Sequence, residues 1–441
     1  MTRARPVSPY ALVAMSQAPR IVRWTLPALL LTLVVGGLAV VPATAAARSG
    51  APALQARSAI VVEASTGDVL FSKNARRRRA IASTTKLMTV LLALEHSDLD
   101  DILSAGSYPA STSESQIGLR PGERMSVRDL LRAILLPSAN DAAAAIAGGT
   151  LGSTPAFVAE MNRRAVALGL RDTHYSTPVG LDAPGNYSSA RDLAKLAVRL
   201  RTFEFFRRTT DLPSATLRSG SRTRVVINRN TLVRRVPEVN GVKTGHTTRA
   251  GYVLVGSAGR AGVTVISVVL GEPSERARDS DSLALLRYGL NAYRVATPLP
   301  EGRVVGRVAL RYRGGDAVDV VAGASVRRVL RRGAKTHVTV TGLPPDVDGP
   351  LPRGSRVGTA TVRAGRDVLA RVPVVTAKPV AEAGLGTRLV DLVGRSLTII
   401  SLVLLLVCSL PLVMLRRRAM RRRQALDAEH RRTRRREETP V

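Results

Sequence analysis

Apolar residues fall at period two in a few short stretches and at helical spacing through most of the first 290 positions. Ser58-Ala59-Ile60-Val61-Val62-Glu63 and Val69-Leu70-Phe71 predict two strands, with the turn at Ala64-Ser65-Thr66-Gly67-Asp68. From Thr84 to Leu94 the pattern is apolar nearly all round, which predicts a buried helix. Ser126-Val127-Arg128-Asp129 reads as a capped helix start ahead of Leu130, Leu131, Ile134 and Leu135. Asp141 to Ala147 predicts an Ala-rich helix, and Pro155 opens another that ends before Gly169. Ser189-Ala190-Arg191-Asp192 caps a fifth. Gly251 to Ser257 and Gly262 to Leu270 predict strands joined at Ala258-Gly259-Arg260-Ala261, and 275–290 a final helix. Hairpin, helices, hairpin, helix is an α+β order: a sheet closed by both ends of the domain, with a helical lobe inserted.

After Thr297-Pro298-Leu299-Pro300 the texture changes to short Val-rich alternations such as His337-Val338-Thr339-Val340-Thr341. They predict a small all-β domain over 297–380, following the α+β domain over 54–296. Leu397 to Leu415 is uncharged and long enough for one transmembrane helix. At the other end Arg3, Arg5, Arg20 and Arg23 precede an apolar run from Trp24 to Val41 and the small residues Ala43-Thr44-Ala45-Ala46-Ala47. This is the layout of a signal peptide over 1–47.

Charge adds the topology. Residues 416–441 hold eleven Arg against four acids, and dense Arg just past a span marks the cytoplasmic side. The domains between the two apolar segments are therefore expected outside the membrane, with the tail inside. Of the net +33, the region 24–415 carries +22, which draws it to polyanions such as envelope polymers and lipid headgroups. Only 3% of residues are aromatic, which argues against a stacking nucleic-acid binder. One cysteine excludes an intrachain disulfide framework and a Cys-based zinc site. The five histidines form no H-E-x-x-H, G-x-S-x-G does not occur, and glycine-rich phosphate loops are absent. No metal or cofactor is expected.

Three short motifs carry chemistry: Ser83-Thr84-Thr85-Lys86, Ser138-Ala139-Asn140 and Lys243-Thr244-Gly245. Ser83 starts the buried helix, and one turn later Lys86 returns to the same face. A serine hydroxyl needs a base at neutral pH, and a desolvated lysine near another cation serves as one. Lys243 would be that second cation. Ser138 and Asn140 suit proton relay and fixing of a substrate amide. A substrate carboxylate would meet Lys243 and the Thr244 hydroxyl, on a segment placed ahead of an edge strand where Gly245 permits close approach. Only six residues are Lys, and two of them fall in these motifs in a chain that elsewhere chooses Arg. Arginine cannot deprotonate, so it cannot replace lysine as a base.

At these residues the chain resembles the low-molecular-mass penicillin-binding proteins, the D-alanyl-D-alanine carboxypeptidases of serine peptidase family S11. The similarity runs from about Ser58 to Tyr293 and includes Ala82 to Met88, Ser138 to Ala142, Gly180 to Gly185, Tyr187 to Asp192 and Val242 to Thr247 followed by Ala250-Gly251-Tyr252. It implies a penicillin-recognising, β-lactamase-like catalytic domain acting through an acyl-enzyme. Ser83 would be the nucleophile, Lys86 its base, and Ser138 and Asn140 the second catalytic element. Lys243, Thr244 and Arg278 would meet the terminal carboxylate. The oxyanion hole would be the N–H groups of Ser83 and His246. Substrates would be peptidoglycan stem peptides, with β-lactam antibiotics as inhibitors. A non-catalytic penicillin-binding receptor, a D,D-endopeptidase and a β-lactamase stand as alternatives, though no class A glutamate motif is found. A full span departs from the amphipathic anchor of many members.

Overall fold

A computed structural model describes residues 50–437; the expected signal peptide lies outside the described residues. Strands β1 (Ser58–Glu63) and β2 (Val69–Lys73) form the first hairpin, and a 3-10 turn, Ala82–Thr85, leads into α1 (Lys86–His96). Short strands β3 (Ile102–Ser104) and β4 (Arg124–Ser126) precede α2 (Val127–Leu135), α3 (Asn140–Thr150), α4 (Thr154–Ala167), α5 (Ala190–Leu200) and α6 (Glu204–Thr210). The hairpin β5 (Ser214–Leu217) and β6 (Arg224–Ile227), then α7 (Leu232–Arg235), lead to β7 (Val239–Thr247), β8 (Gly251–Arg260), β9 (Val263–Glu272) and α8 (Glu275–Ala292).

Several starts follow local chemistry. Ser126 Oγ accepts from the Asp129 N–H, Ser153 from Ala156, Ser189 from Asp192 and Ser274 from Ala277. Each satisfies an N–H that a helix start leaves orphaned, worth about 1 kcal/mol. β8 and β9 run longer than expected, from Gly251 to Arg260 and from Val263. Ala261 (φ 50°) and Gly262 (φ 80°) alone make the turn, and positive φ at both positions suits the twist of a two-residue hairpin.

The main sheet is antiparallel with order β2-β1-β9-β8-β7, so strands from both ends of the domain close it. β1 is buried at all six positions because the sheet is covered on both faces. Ile60 and Val62 face the core of the helical lobe, while Ala59 and Val61 face the core under α8. Complete burial of side chains of this size contributes roughly 1.5–3 kcal/mol each. Helix α1 sits in the lobe core, with Leu87, Met88, Val90, Leu91 and Leu92 all at 0% exposure.

Beyond α8 the chain is all β: β10 (Tyr293–Leu299), β11 (Val304–Leu310), β12 (Ala317–Ala322), β13 (Val326–Arg331), β14 (Thr336–Thr341), β15 (Asp346–Val347), β16 (Arg356–Ala364) and β17 (Asp367–Thr376). β10 crosses the boundary expected at 296/297 and pairs with β13. The other six form a sheet in the order β14-β16-β17-β12-β11-β15. Asp68, in the first hairpin's turn, ties this region to the main sheet. Arg331 donates to both its oxygens at 2.6 Å and Tyr293 OH at 2.8 Å. Helix α9 (Leu385–Glu437) follows; its apolar stretch is exposed, and among the described residues it is the one helix long and apolar enough to cross a membrane.

Candidate active site

Ser83 lies in the 3-10 turn and is the one partly exposed residue between Ile81 and Ala93. Lys86 begins α1 and is wholly buried, its Nζ 3.1 Å from Ser83 Oγ. The same nitrogen donates to Asn140 Oδ1 at 2.5 Å and to the Val179 carbonyl at 2.6 Å. A neutral amine has two N–H bonds and one lone pair. Two acceptors take the N–H bonds, so the lone pair is left for the Ser83 hydroxyl. Burial, foremost, pulls the Lys86 ammonium down to about 7; Glu114 and Asp141 oppose this and Arg229 adds to it.

The second motif reaches this pair from the start of α3. Ser138 has φ 70°, and its buried Oγ has no hydrogen-bond partner among the described residues. Asn140 opens α3 and donates through Nδ2 to Glu114 Oε2 at 2.7 Å. Tyr108 OH donates to the same oxygen at 2.6 Å. Asp141 accepts the N–H groups of Ile117 and Leu119, which ties the 114–119 segment to this helix start.

The third motif lies within β7, the edge strand itself, rather than ahead of one. The strand escapes the sequence pattern because its polar residues face a cleft, not solvent. A Cβ on Gly245 would stand 2.9 Å from the Ser83 nitrogen, so glycine lets β7 pass against the Ser83 turn. Lys243 is buried, with Nζ donating to the Thr244 carbonyl at 2.9 Å. Burial first, then Lys86, Arg229 and Arg278, holds its ammonium well below the usual lysine range. The exposed His246 ring packs 4.1 Å from that of Tyr252.

Ser83, Ser138, Asn140, Thr244, Gly245, His246 and Arg278 line one cleft, with Lys86 and Lys243 buried beneath it. The Lys86 charge presses on Lys243, and Arg229, which follows β6, presses on both lysines. Arg278 is not a free cation. Its Nε and Nη2 donate to Asp279 Oδ1 at 2.9 and 2.7 Å, and Nη2 reaches Glu275 Oε1 at 2.7 Å. Glu114, Tyr108, Arg229 and Val179 were not singled out from sequence. Gly180, in a stretch of family resemblance, is the one signal near Val179: its φ is 85°, and a Cβ there would meet the Ala82 carbonyl at 2.2 Å.

The model of the D-alanyl-D-alanine carboxypeptidase family, peptidase S11, matches residues 45–274. The chain belongs to this family. A second model, the C-terminal domain of penicillin-binding protein 5, matches residues 293–382 of this S11 chain. The D-alanyl-D-alanine carboxypeptidase DacF of Bacillus subtilis is 31% identical over 79% of this chain and 91% of its own length. DacA of Escherichia coli is 31% identical over 78% and 88%. The crystal structure of DacD from Francisella tularensis matches with a TM-score of 0.55 at 27% identity, covering 76% of this chain and 96% of that one. The Streptomyces K15 DD-transpeptidase matches with a TM-score of 0.52 at 34% identity, over 54% and 98%. As an S11 member the chain is a serine peptidase of the penicillin-binding type.

Proposed function

We propose that this S11 peptidase removes the terminal D-Ala from peptidoglycan stem peptides through an acyl-enzyme on Ser83. The observation that carries this is the Lys86 amine, buried, near neutrality and 3.1 Å from Ser83 Oγ. In the acylation step Ser83 Oγ attacks the penultimate carbonyl while Lys86 takes the hydroxyl proton. The N–H groups of Ser83 and His246 receive the oxyanion. The proton that Lys86 took passes through the Ser138 hydroxyl to the departing D-Ala nitrogen, while Asn140 holds the Lys86 amine in place. Lys243 and Thr244 meet the D-Ala carboxylate, while Arg278, already paired with Asp279 and Glu275, lines the cleft beside them. Water then attacks the ester and regenerates Ser83. β-Lactams would enter by the same first step.

A relative named as a DD-transpeptidase favours a second reading, in which an amine rather than water accepts the acyl group. Incubation with a D-Ala-D-Ala-ended pentapeptide, read by mass spectrometry, separates them: the tetrapeptide is expected, and an amine adduct in its place would make the enzyme a transferase. Labelled penicillin should acylate the wild type and leave Ser83→Ala unlabelled; label retained by that variant would overturn the assignment.

The same reading places both domains outside the bacterial membrane, residues 1–47 as a signal peptide, 397–415 as the span and the Arg-rich tail inside. Protease added to sealed protoplasts should digest 58–380 and spare an epitope placed after Leu415. Loss of that epitope would reverse the orientation.

A further inference from the structure

The two ends of the Asn140 amide are nearly identical in shape, so their partners alone decide which end faces Lys86. From the geometry around it, we infer that Glu114 is a positioning residue: it holds Asn140 with its oxygen toward Lys86 and so keeps the Lys86 lone pair free for Ser83. The inference rests on the roles proposed above for Ser83 and Lys86.

Glu114 Oε2 receives two donors, Asn140 Nδ2 at 2.7 Å and Tyr108 OH at 2.6 Å. Its Oε1 receives the Ser111 N–H at 3.1 Å. Burial pushes the Glu114 carboxyl up, but the hydrogen bonds from Tyr108, Asn140 and Ser111 outweigh it and leave the group below its ordinary value. An ionised carboxylate only accepts, so it takes the NH2 end of Asn140 and rejects the oxygen end. The oxygen must then face Lys86, where it stands 2.5 Å from Nζ. The reversed amide would aim two N–H donors at the amine. They would either occupy the lone pair that Ser83 needs or oppose an ammonium. The backbone fixes the placement, since Asn140 N–H donates to the Ser115 carbonyl at 2.7 Å, one residue beyond Glu114. The Glu114 charge also acts on Lys86 directly, raising the ammonium that burial lowers. Glu114 belongs to none of the three motifs, and its hydrogen bonds reach Lys86 through Asn140.

The test measures acylation by labelled penicillin against pH for the full chain and for Glu114→Ala, Glu114→Gln, Asn140→Ala and the Glu114→Ala/Asn140→Ala double variant. Glu114→Ala should lower the plateau rate at least about tenfold, a modest part of what general-base catalysis contributes. Its acid limb should move to lower pH, because a negative charge near Lys86 is gone. Glu114→Gln should show the same limb shift with a smaller plateau loss, since its amide oxygen still accepts from Asn140. With Asn140 already Ala, Glu114→Ala should cost little more on the plateau. A purely structural role would lower the melting temperature without moving the limb. Wild-type plateau and limb in Glu114→Ala, or an undiminished loss in the Asn140→Ala background, would overturn this inference alone. Acylation of the wild type at a residue other than Ser83 would overturn the reading of the site as well.

Discussion

Lys86 changes role with one proton. As an ammonium it has three N–H bonds, and the third occupies the side facing Ser83; as an amine it offers a lone pair there. Its value of about 7 places the change near neutral pH. Below that, the base is protonated and acylation should fall about tenfold per pH unit; above it, the rate should level off. The profile of the acylation rate constant should therefore show an acid limb near 7. Lys86→Arg keeps the charge but cannot accept the proton, and should lose at least about a hundredfold across the profile. Near-normal acylation by that variant would reduce Lys86 to a source of charge. The pair itself was legible in the sequence, because i and i+3 meet on any helix turn and lysine is rare in this chain. A further cation that presses on Lys86 was not. Arg229 is one of many arginines, and only the fold brings this one to the site.

At the scale of elements, the site is a junction where α1, α3, β7 and the loop through Val179 meet. The loop is held by Gly180, whose positive φ disfavours any side chain and where a Cβ would clash with the Ala82 carbonyl just before Ser83. Gly180→Ala would set a Cβ 2.2 Å from that oxygen, so the loop must retreat and take the Val179 carbonyl from Lys86. Thermal unfolding and penicillin acylation should both suffer, by more than the about 1 kcal/mol that a glycine-to-alanine change usually moves. Unchanged acylation would show that the Val179 contact is dispensable. The helices from α1 to α5 were readable because Ser caps and helical apolar spacing are local signals. β7 and the β5–β6 hairpin were not. Their alternate residues face a cleft lined by Val225, Ile227 and Thr244, so exposed apolar and buried polar side chains blur the period-two pattern.

In the whole molecule, the sequence by itself determined what depends on neighbours along the chain. It settled the α+β class, the capped helices, the change to β texture near residue 297, an apolar segment long enough to span, and three motifs whose residue types suit acyl transfer. Tertiary structure decided what depends on residues far apart. It set Val179 and Asn140 against Lys86, 93 and 54 positions away. It spent the charge of Arg278 on Glu275 and Asp279, and it joined the β region to the first hairpin through Asp68 and Arg331, 263 positions apart. The physical reason is the range of each force. Propensity, capping and helical spacing act within a few residues, so sequence carries them directly. Burial, hydrogen-bond partners and the local dielectric exist only after the chain has closed, and they bring the Lys86 ammonium down to about 7.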